Sequence, residues 1–327
     1  MQRLLACLCC LVLGTCSGQH EAFVETPTDY ASNLSEPIVS VQIAGLGNCS
    51  DHDSGNLRLD STEPVTVIIH GCFSSAGRFR SMAEVFEFHG QQTLCFSYDD
   101  RYRLTTSAKQ LKEAITELSE VLEKPEITLI GHSQGGLIAR RALVSEQADD
   151  SDIHNIDIEL VTISSPFGGI ESASHCGSTT AAWLSLGIVK LICQVITGRK
   201  YQDIPPNSAF IEQPGHLASS VKRHLKIVTD ETDTCRVDDG QGTCIEDDFV
   251  FSVDEQYQHI VDAQPAIVPL EVKAGHVEIV GDGSQVPEKL IGILQQQGYL
   301  RATPPAAEQD LAVLLARLYR RTAPSFP

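Results

Sequence analysis

Ile127-Thr-Leu-Ile-Gly131-His-Ser133-Gln-Gly135-Gly136-Leu-Ile-Ala-Arg140 is an apolar strand-like run that passes through Gly-x-Ser-x-Gly into a helix-forming run. In that setting the pentapeptide is the sharp turn that lifts a serine hydroxyl clear of a sheet. The turn leaves no room for side chains two residues before and two after the serine, and Gly131 and Gly135 stand there. Gly136 adds to the pattern. Ser133 is therefore the candidate nucleophile. The competing reading, a glycine-rich connection with no chemistry, explains neither the preceding strand nor the following helix.

Around this turn, short β-branched and apolar runs recur: Val65–Ile69, Thr93–Tyr98, Ile127–Ile130, Ile158–Ile163, Leu225–Thr229 and Ile267–Val272. Continuously apolar runs of this length suit strands buried on both faces of a parallel sheet. Between them, Ser107–Glu123 has helical spacing and stops before Pro125, and Leu137–Ser145 continues from the turn as a second helix. Strands alternating with helices predict an α/β fold with a mainly parallel, doubly wound sheet. Residues 64–300 form the expected main domain. Residues 19–63 read as a polar N-terminal leader with short strands, and 301–327 as a C-terminal linker and helix. Within the main domain, 170–215 reads as a helical cap, because Ser178–Thr197 is apolar around most of a helix with a narrow polar stripe.

The formal charge of −19 across 327 residues argues against nucleic acid and anionic membrane surfaces as electrostatic partners. Residues 1–18 combine Arg3 with a short apolar run ending in small residues, the pattern of a secretory signal rather than a spanning helix. That implies a secreted or periplasmic protein, with lipid anchoring at Cys16 as the minority alternative. Beyond the signal stand Cys49, Cys72, Cys95, Cys176, Cys193, Cys235 and Cys244, which in an oxidising compartment should mostly pair. The expected pairs are Cys235–Cys244, Cys176–Cys193 and Cys49–Cys72, leaving Cys95 as a buried thiol. No cofactor is expected. Ca²⁺ is the one metal the acidic run from Asp230 to Asp254 could take, although it lacks the spaced ligand pattern of a calcium loop.

A serine hydroxyl is a weak nucleophile and needs a base oriented by a carboxylate. On this architecture the acid and then the histidine follow the serine in the chain. Of the 11 histidines, His276 alone lies late, directly after a strand and before the last helix of the domain. It is the candidate base. His259 is the runner-up, and His132 inside the turn is read as structural. Negative charge developing on a carbonyl oxygen needs donors, expected from the backbone N–H of Gln134 and of Cys72, with Phe73 as alternative to Cys72. His70 is read as a brace for that loop.

Val67-Ile-Ile-His-Gly71, Gly131-His-Ser-Gln-Gly-Gly136, Thr162-Ile-Ser-Ser-Pro166-Phe-Gly-Gly169 and Gly275-His276 together resemble the α/β-hydrolase superfamily, and within it the lipase branch. The Ser-Ser-Pro-Phe-Gly-Gly stretch is similar to the Gly-Thr-Pro-His-Gly-Gly of bacterial lipases and of acyl hydrolases of the GPI-inositol-deacylase type, and Asn207-Ser-Ala-Phe210 is similar to their Pro-Gly-Ser-Pro-Phe loop. Phe167 departs from the family's usual His, and Cys72 is unusual in an oxyanion loop. Asp248-Phe-Val-Phe-Ser-Val-Asp254 looks like the loop that holds the acid in many hydrolases. The resemblance thus implies Asp248 as acid, with Asp247 as alternative and Asp230 or Asp233 behind them. It implies a secreted serine hydrolase of carboxylic esters, a lipase or lipase-like esterase acting on a lipid or small ester. Acyl transfer to an alcohol, or a non-catalytic binding protein on the same fold, are the alternatives.

Overall fold

Apolar segments of five to ten residues, bounded by turns, pair in the computed structural model into one twisted sheet; the structure describes residues 37–52, 55–145, 155–171 and 203–319. In chain order the elements are β1 (Ile38–Val41), β2 (Leu46–Gly47), β3 (Leu57–Asp60), β4 (Val65–Ile69), α1 (Arg80–Phe88), β5 (Gln92–Phe96), α2 (Leu104–Val121), β6 (Glu126–His132), α3 (Gln134–Ala142) and β7 (Asp157–Ile163). They continue with α4 (Ala209–Glu212), β8 (Val221–Asp230), β9 (Cys235–Asp238), β10 (Cys244–Asp247), α5 (His259–Asp262), β11 (Ile267–Lys273), α6 (Glu288–Gln297) and α7 (Glu308–Leu318).

The main sheet has the order β11-β8-β7-β6-β4-β5-β2. Every pairing in it is parallel except that of β2 with β5. Parallel neighbours require crossovers, and these carry the helices to both faces. The strands at the centre are accordingly buried on both faces: all five residues of β4 are buried. At the edge, β11 alternates between half-buried and exposed positions and carries Pro269, which a central strand could not accommodate because proline has no N–H to donate. The expected strand runs and the α/β class are thus present; β4 has the expected bounds, β5 ends two residues early at Phe96, and β8 starts four residues early at Val221.

Two apolar cores lie on either side of the sheet. One packs β4 and β6 side chains against Leu104, Leu111, Ile115 and Leu118 of α2 and against Leu137 and Ile138 of α3. The other packs Ile68, Ile130 and Ile227 against Met82, Val85 and Phe86 of α1 and Leu290, Ile291 and Leu294 of α6. The i, i+4, i+7, i+11 spacing of Leu104, Ala108, Leu111 and Ile115 makes one face of α2 apolar. Its N-terminus is held by Asp203, which is fully buried and accepts from the Leu104 N–H at 2.8 Å and from the Arg103 guanidinium.

The residues read as a leader contribute to this body. β2 lies antiparallel on β5, with Gly47 opposite Cys95. That register carries Cys49 to within 4.9 Å, Cα to Cα, of Cys95, and the two form a disulfide. The expected Cys49–Cys72 pair is therefore wrong, and so is the assignment of Cys95 as a thiol: Cys72 is the one left as a thiol among the described residues. Spacing in the sequence could not anticipate that β2 would close the sheet edge. Cys235–Cys244 pairs as expected and closes the β9–β10 hairpin. Cys176, Cys193 and most of the segment read as a cap (172–202) lie outside the described residues. Among the described residues no helix is long and apolar enough to cross a membrane.

Cys49–Cys95 closes a loop with a sequence separation of 46. Replacing both cysteines by alanine should destabilise the protein by about 4 kcal/mol in the loop-entropy account. The urea unfolding midpoint checks this, and an unchanged midpoint would show that the edge strand holds without the bridge.

Candidate active site

The ends of four adjacent strands, β6, β7, β8 and β11, deliver the side chains that meet at the sheet's carboxyl edge. Ser133 follows β6 at φ 55°, ψ −125°, a conformation that costs a non-glycine residue about 1–3 kcal/mol and persists only when its surroundings enforce it. The enforcement is steric. A Cβ on Gly131 would come within 2.6 Å of the backbone of Gly135 and Gly136, and one on Gly135 would collide with the carbonyl oxygens of Ile69 and His70. Helix α3 starts at Gln134, directly after the serine and earlier than its sequence spacing suggested. The Gln134 N–H thereby lies at the positive end of the helix. The Ser133 hydroxyl makes no hydrogen bond to another described residue, as is common before a substrate is bound.

His276 follows β11 and is buried. Its Nδ1 lies 2.9 Å from Oε1 of Glu231, the residue directly after β8. Donation from Nδ1 to that carboxylate leaves Nε2 as the lone-pair nitrogen, the tautomer a general base needs. Glu231 is 1% exposed, and its oxygens are fully used. Oε1 also accepts from Ser164 Oγ (2.6 Å) and Thr229 Oγ1 (3.0 Å), and Oε2 from the Val250 N–H (2.7 Å) and Phe251 N–H (3.2 Å). Burial alone would push this carboxyl up, but the adjacent His276, the Ser164 hydroxyl and the Val250 N–H together hold it below the ordinary glutamate value. Phe251 packs edge-on against the imidazole at 4.8 Å.

Glu231 stands where the sequence reading put Asp248, and that assignment is corrected. The Asp248 carboxylate accepts from the Val277 N–H (3.0 Å) and Glu278 N–H (2.8 Å), while its carbonyl oxygen accepts from the His276 N–H (2.9 Å). It holds the histidine's loop rather than the imidazole. Gly275 has no side chain because the Asp248 carboxylate fills that space. Burial pushes the Asp248 carboxyl up despite those N–H bonds. Asp247 is exposed on the hairpin. Asp230, half-buried, pairs with Lys273 at 3.0 Å. The overlooked signal was position: Glu231 sits at the end of its strand, whereas Asp248 lies beyond a whole hairpin.

His132 and His70 take structural places, and His259, the runner-up base, lies away on a helix surface. His132 donates from Nε2 to the His276 carbonyl oxygen at 3.0 Å, and the two rings lie 4.8 Å apart. Burial, with His276 beside it, keeps its pKa well below the usual histidine value, so it is a neutral brace. His259 is exposed in α5. His70 stacks on Tyr98 at 4.4 Å, and the Tyr98 hydroxyl donates to its carbonyl oxygen at 2.7 Å. That fixes the loop after β4, where a Cβ on Gly71 would lie 3.0 Å from Ser133 Cβ. Next in the loop, the Cys72 thiol donates to the Gln134 side-chain oxygen at 2.8 Å, tying the two expected oxyanion donors together. Phe73 is excluded as the alternative, because its N–H is given to Asp100 at 3.0 Å. A cavity of about 460 Å³ behind this loop is lined by His70 and Tyr98 but by neither Ser133 nor His276.

In the acidic stretch, Asp238 and Asp239 accept N–H bonds from their own hairpin turn. Among the described residues no group of three or more His, Cys, Asp and Glu side chains gathers as a metal site.

The chain is similar to known proteins to different depths. The palmitoyl protein thioesterase family model matches residues 64–225. The lysosomal thioesterase PPT2 homolog of Drosophila melanogaster is 33% identical over 108 residues, covering 32% of this chain. The matched part spans about a third of that protein's length, 35%. Among solved structures, the mature form of the Bacillus licheniformis lipase BlEst2 superposes with a TM-score of 0.54 at 14% identity, covering 77% of this chain and 96% of the lipase. Its propeptide form gives 0.53 at 14% identity, with 79% and 54% covered. At such identity the likeness is one of fold.

Two substitutions separate the carboxylates. Glu231→Gln should lower kcat on any ester turned over by roughly 10²–10⁴-fold, as when a triad acid loses its charge, whereas Asp248→Asn, which keeps an acceptor for the two N–H groups, should cost at most about tenfold. A second check is acid unfolding. Because the folded Glu231 carboxyl lies below its ordinary value of 4.5, its stabilisation is full above that pH and lost as pH falls through the lower folded value. Wild type should therefore lose stability more steeply below pH 4.5 than Glu231→Gln.

Proposed function

We propose that this chain, which has the α/β-hydrolase fold, hydrolyses acyl thioesters and esters through an acyl-enzyme on Ser133. One observation carries the reading. Nδ1 of His276 faces a buried, fully bonded carboxylate, Glu231, on a loop braced by His132, the residue just before a strained Ser133. Such an arrangement serves a nucleophile and its base.

In the proposed reaction Ser133 Oγ attacks the acyl carbonyl while Nε2 of His276 takes the hydroxyl proton. Glu231 stabilises the imidazolium through Nδ1–H and stays ionised. The carbonyl oxygen, now negative, receives the Cys72 and Gln134 N–H groups. The leaving thiol or alcohol takes the proton from Nε2, and water then enters by the reverse sequence, activated by His276, to release the acid. A thiolate is a far better leaving group than an alkoxide, so thioesters need less help from His276 as acid.

The thioester preference rests on the family model over 64–225 and on the fly relative, whose printed name is a thioesterase. The two disulfides and that relative's lysosomal label favour an oxidising lumen reached by secretion.

A fluorophosphonate probe should label the wild type and leave Ser133→Ala unlabelled. The unlabelled wild type should cleave a palmitoyl thioester with a higher kcat/KM than the matching oxygen ester. Equal labelling of Ser133→Ala would defeat the acyl-enzyme, and a preference for oxygen esters would replace the thioesterase reading with that of a lipase.

A further inference from the structure

Three of the four strand ends at the site supply Ser133, Glu231 and His276; the strand between those of the serine and the acid, β7, ends in Ser164, which the reaction as described does not use. Ser164 is fully buried and adopts φ 46°, the left-handed region that a serine occupies only at a cost. Its backbone is anchored to the sheet, its N–H donating to the Ile227 carbonyl oxygen at 2.9 Å, and the preceding Ile163 carbonyl oxygen receives the Ser133 N–H at 2.8 Å. The turn at Ser164 is thus built into the same ladder as the turn at Ser133.

The strain buys a particular hydroxyl position. A serine hydroxyl has one proton to give and two lone pairs to offer. The proton goes to Glu231 Oε1 at 2.6 Å. One lone pair receives the Thr229 hydroxyl at 2.7 Å, whose single proton is shared with Glu231 Oε1 at 3.0 Å, and the other faces Nδ1 of His276 at 2.9 Å. The imidazole N–H therefore points between two acceptors, Ser164 Oγ and Glu231 Oε1, which are themselves bonded to each other. Thr229 is locked in turn by Gln256, which accepts from its N–H at 2.9 Å and donates to its carbonyl oxygen at 2.8 Å. Rotation of the ring about its long axis would break both contacts at once.

We propose that Ser164 is a positioning residue for the reaction: it fixes the plane of the His276 ring by offering Nδ1–H a second acceptor and fixes the Glu231 carboxylate by donating to it. This rests on the serine-hydrolase reading above. A glycine, which takes φ 46° without strain, would serve the turn itself as well or better. The hydroxyl is the reason for a serine here.

The test separates the backbone from the hydroxyl. Ser164→Gly removes the hydroxyl and relieves the left-handed turn; Ser164→Ala removes the hydroxyl and keeps the strain. Both should lower kcat by roughly ten- to a hundredfold, the usual loss when a partner that orients an imidazole is removed, with KM within about twofold. Both should slow fluorophosphonate labelling of Ser133 by a similar factor. Their melting temperatures should diverge, Ser164→Gly melting above Ser164→Ala. A Ser164→Gly enzyme with wild-type kcat and labelling rate would overturn the proposal. So would kcat losses in the two variants that follow their melting temperatures, or failure of both to fold, since each marks a merely structural role. Wild type that does not label at all would overturn the hydrolase reading, and this proposal with it, whereas wild type that labels beside an unaffected Ser164→Gly would overturn this proposal alone.

Discussion

No side chain fits between the end of β4 and the first turn of α3, and the rest of the site depends on that closeness. Gly135 rides against the carbonyl oxygens of Ile69 and His70, so the helix after the serine approaches the neighbouring strand as nearly as backbones can. Two consequences follow together. Ser133 is forced into a conformation worth about 1–3 kcal/mol of strain, and the loop after β4 is drawn over it, bringing Cys72 beside Gln134. The strain is small against the burial of the strands around it. β4 and β6 lie at the middle of a parallel sheet with an apolar core on each face, and a local backbone cost there cannot relax without breaking both.

The polar half of the site follows from the same sheet. Parallel strands end at one edge, so whatever follows them gathers there. Here that edge collects hydroxyls, a carboxylate and an imidazole that are all buried, where an unsatisfied group would be costly. The five bonds to Glu231 and the ring of Ser164, Thr229 and Gln256 answer that cost. A carboxylate so supported stays ionised while it is buried, and it can face an imidazolium without taking its proton.

How much of this was legible before folding differs residue by residue. Ser133 announced itself because its constraint is local: glycines two residues to either side are read directly from the chain. His276 was legible from order along the chain, which the parallel topology preserves in space. The acid was not, because Glu231 and Asp248 flank the same hairpin and both end up near the histidine loop. Only three-dimensional placement tells which one meets the imidazole and which meets the backbone N–H groups. The resemblance of the Asp248 segment to a familiar loop pointed to the wrong side of an insertion. The cysteines failed for a similar reason. Cys49 pairs with Cys95 through the antiparallel docking of β2, a contact made by two residues of strand that carry almost no sequence signal. Ser164 passed unnoticed because nothing about a serine after a strand records the sign of its φ.

The β9–β10 hairpin has a consequence of its own. It leaves the body after Glu231 and returns at Asp248, whose N–H donates to the Thr234 carbonyl oxygen at 3.2 Å. Between those points Cys235 and Cys244 are covalently joined, and the turn they enclose is exposed. A single peptide-bond cut within that turn would therefore yield two polypeptides that remain one molecule, with Glu231 on the first and His276 on the second. The severed chain would come apart only under reducing conditions, and until then Glu231 and His276 would belong to different fragments of one intact site.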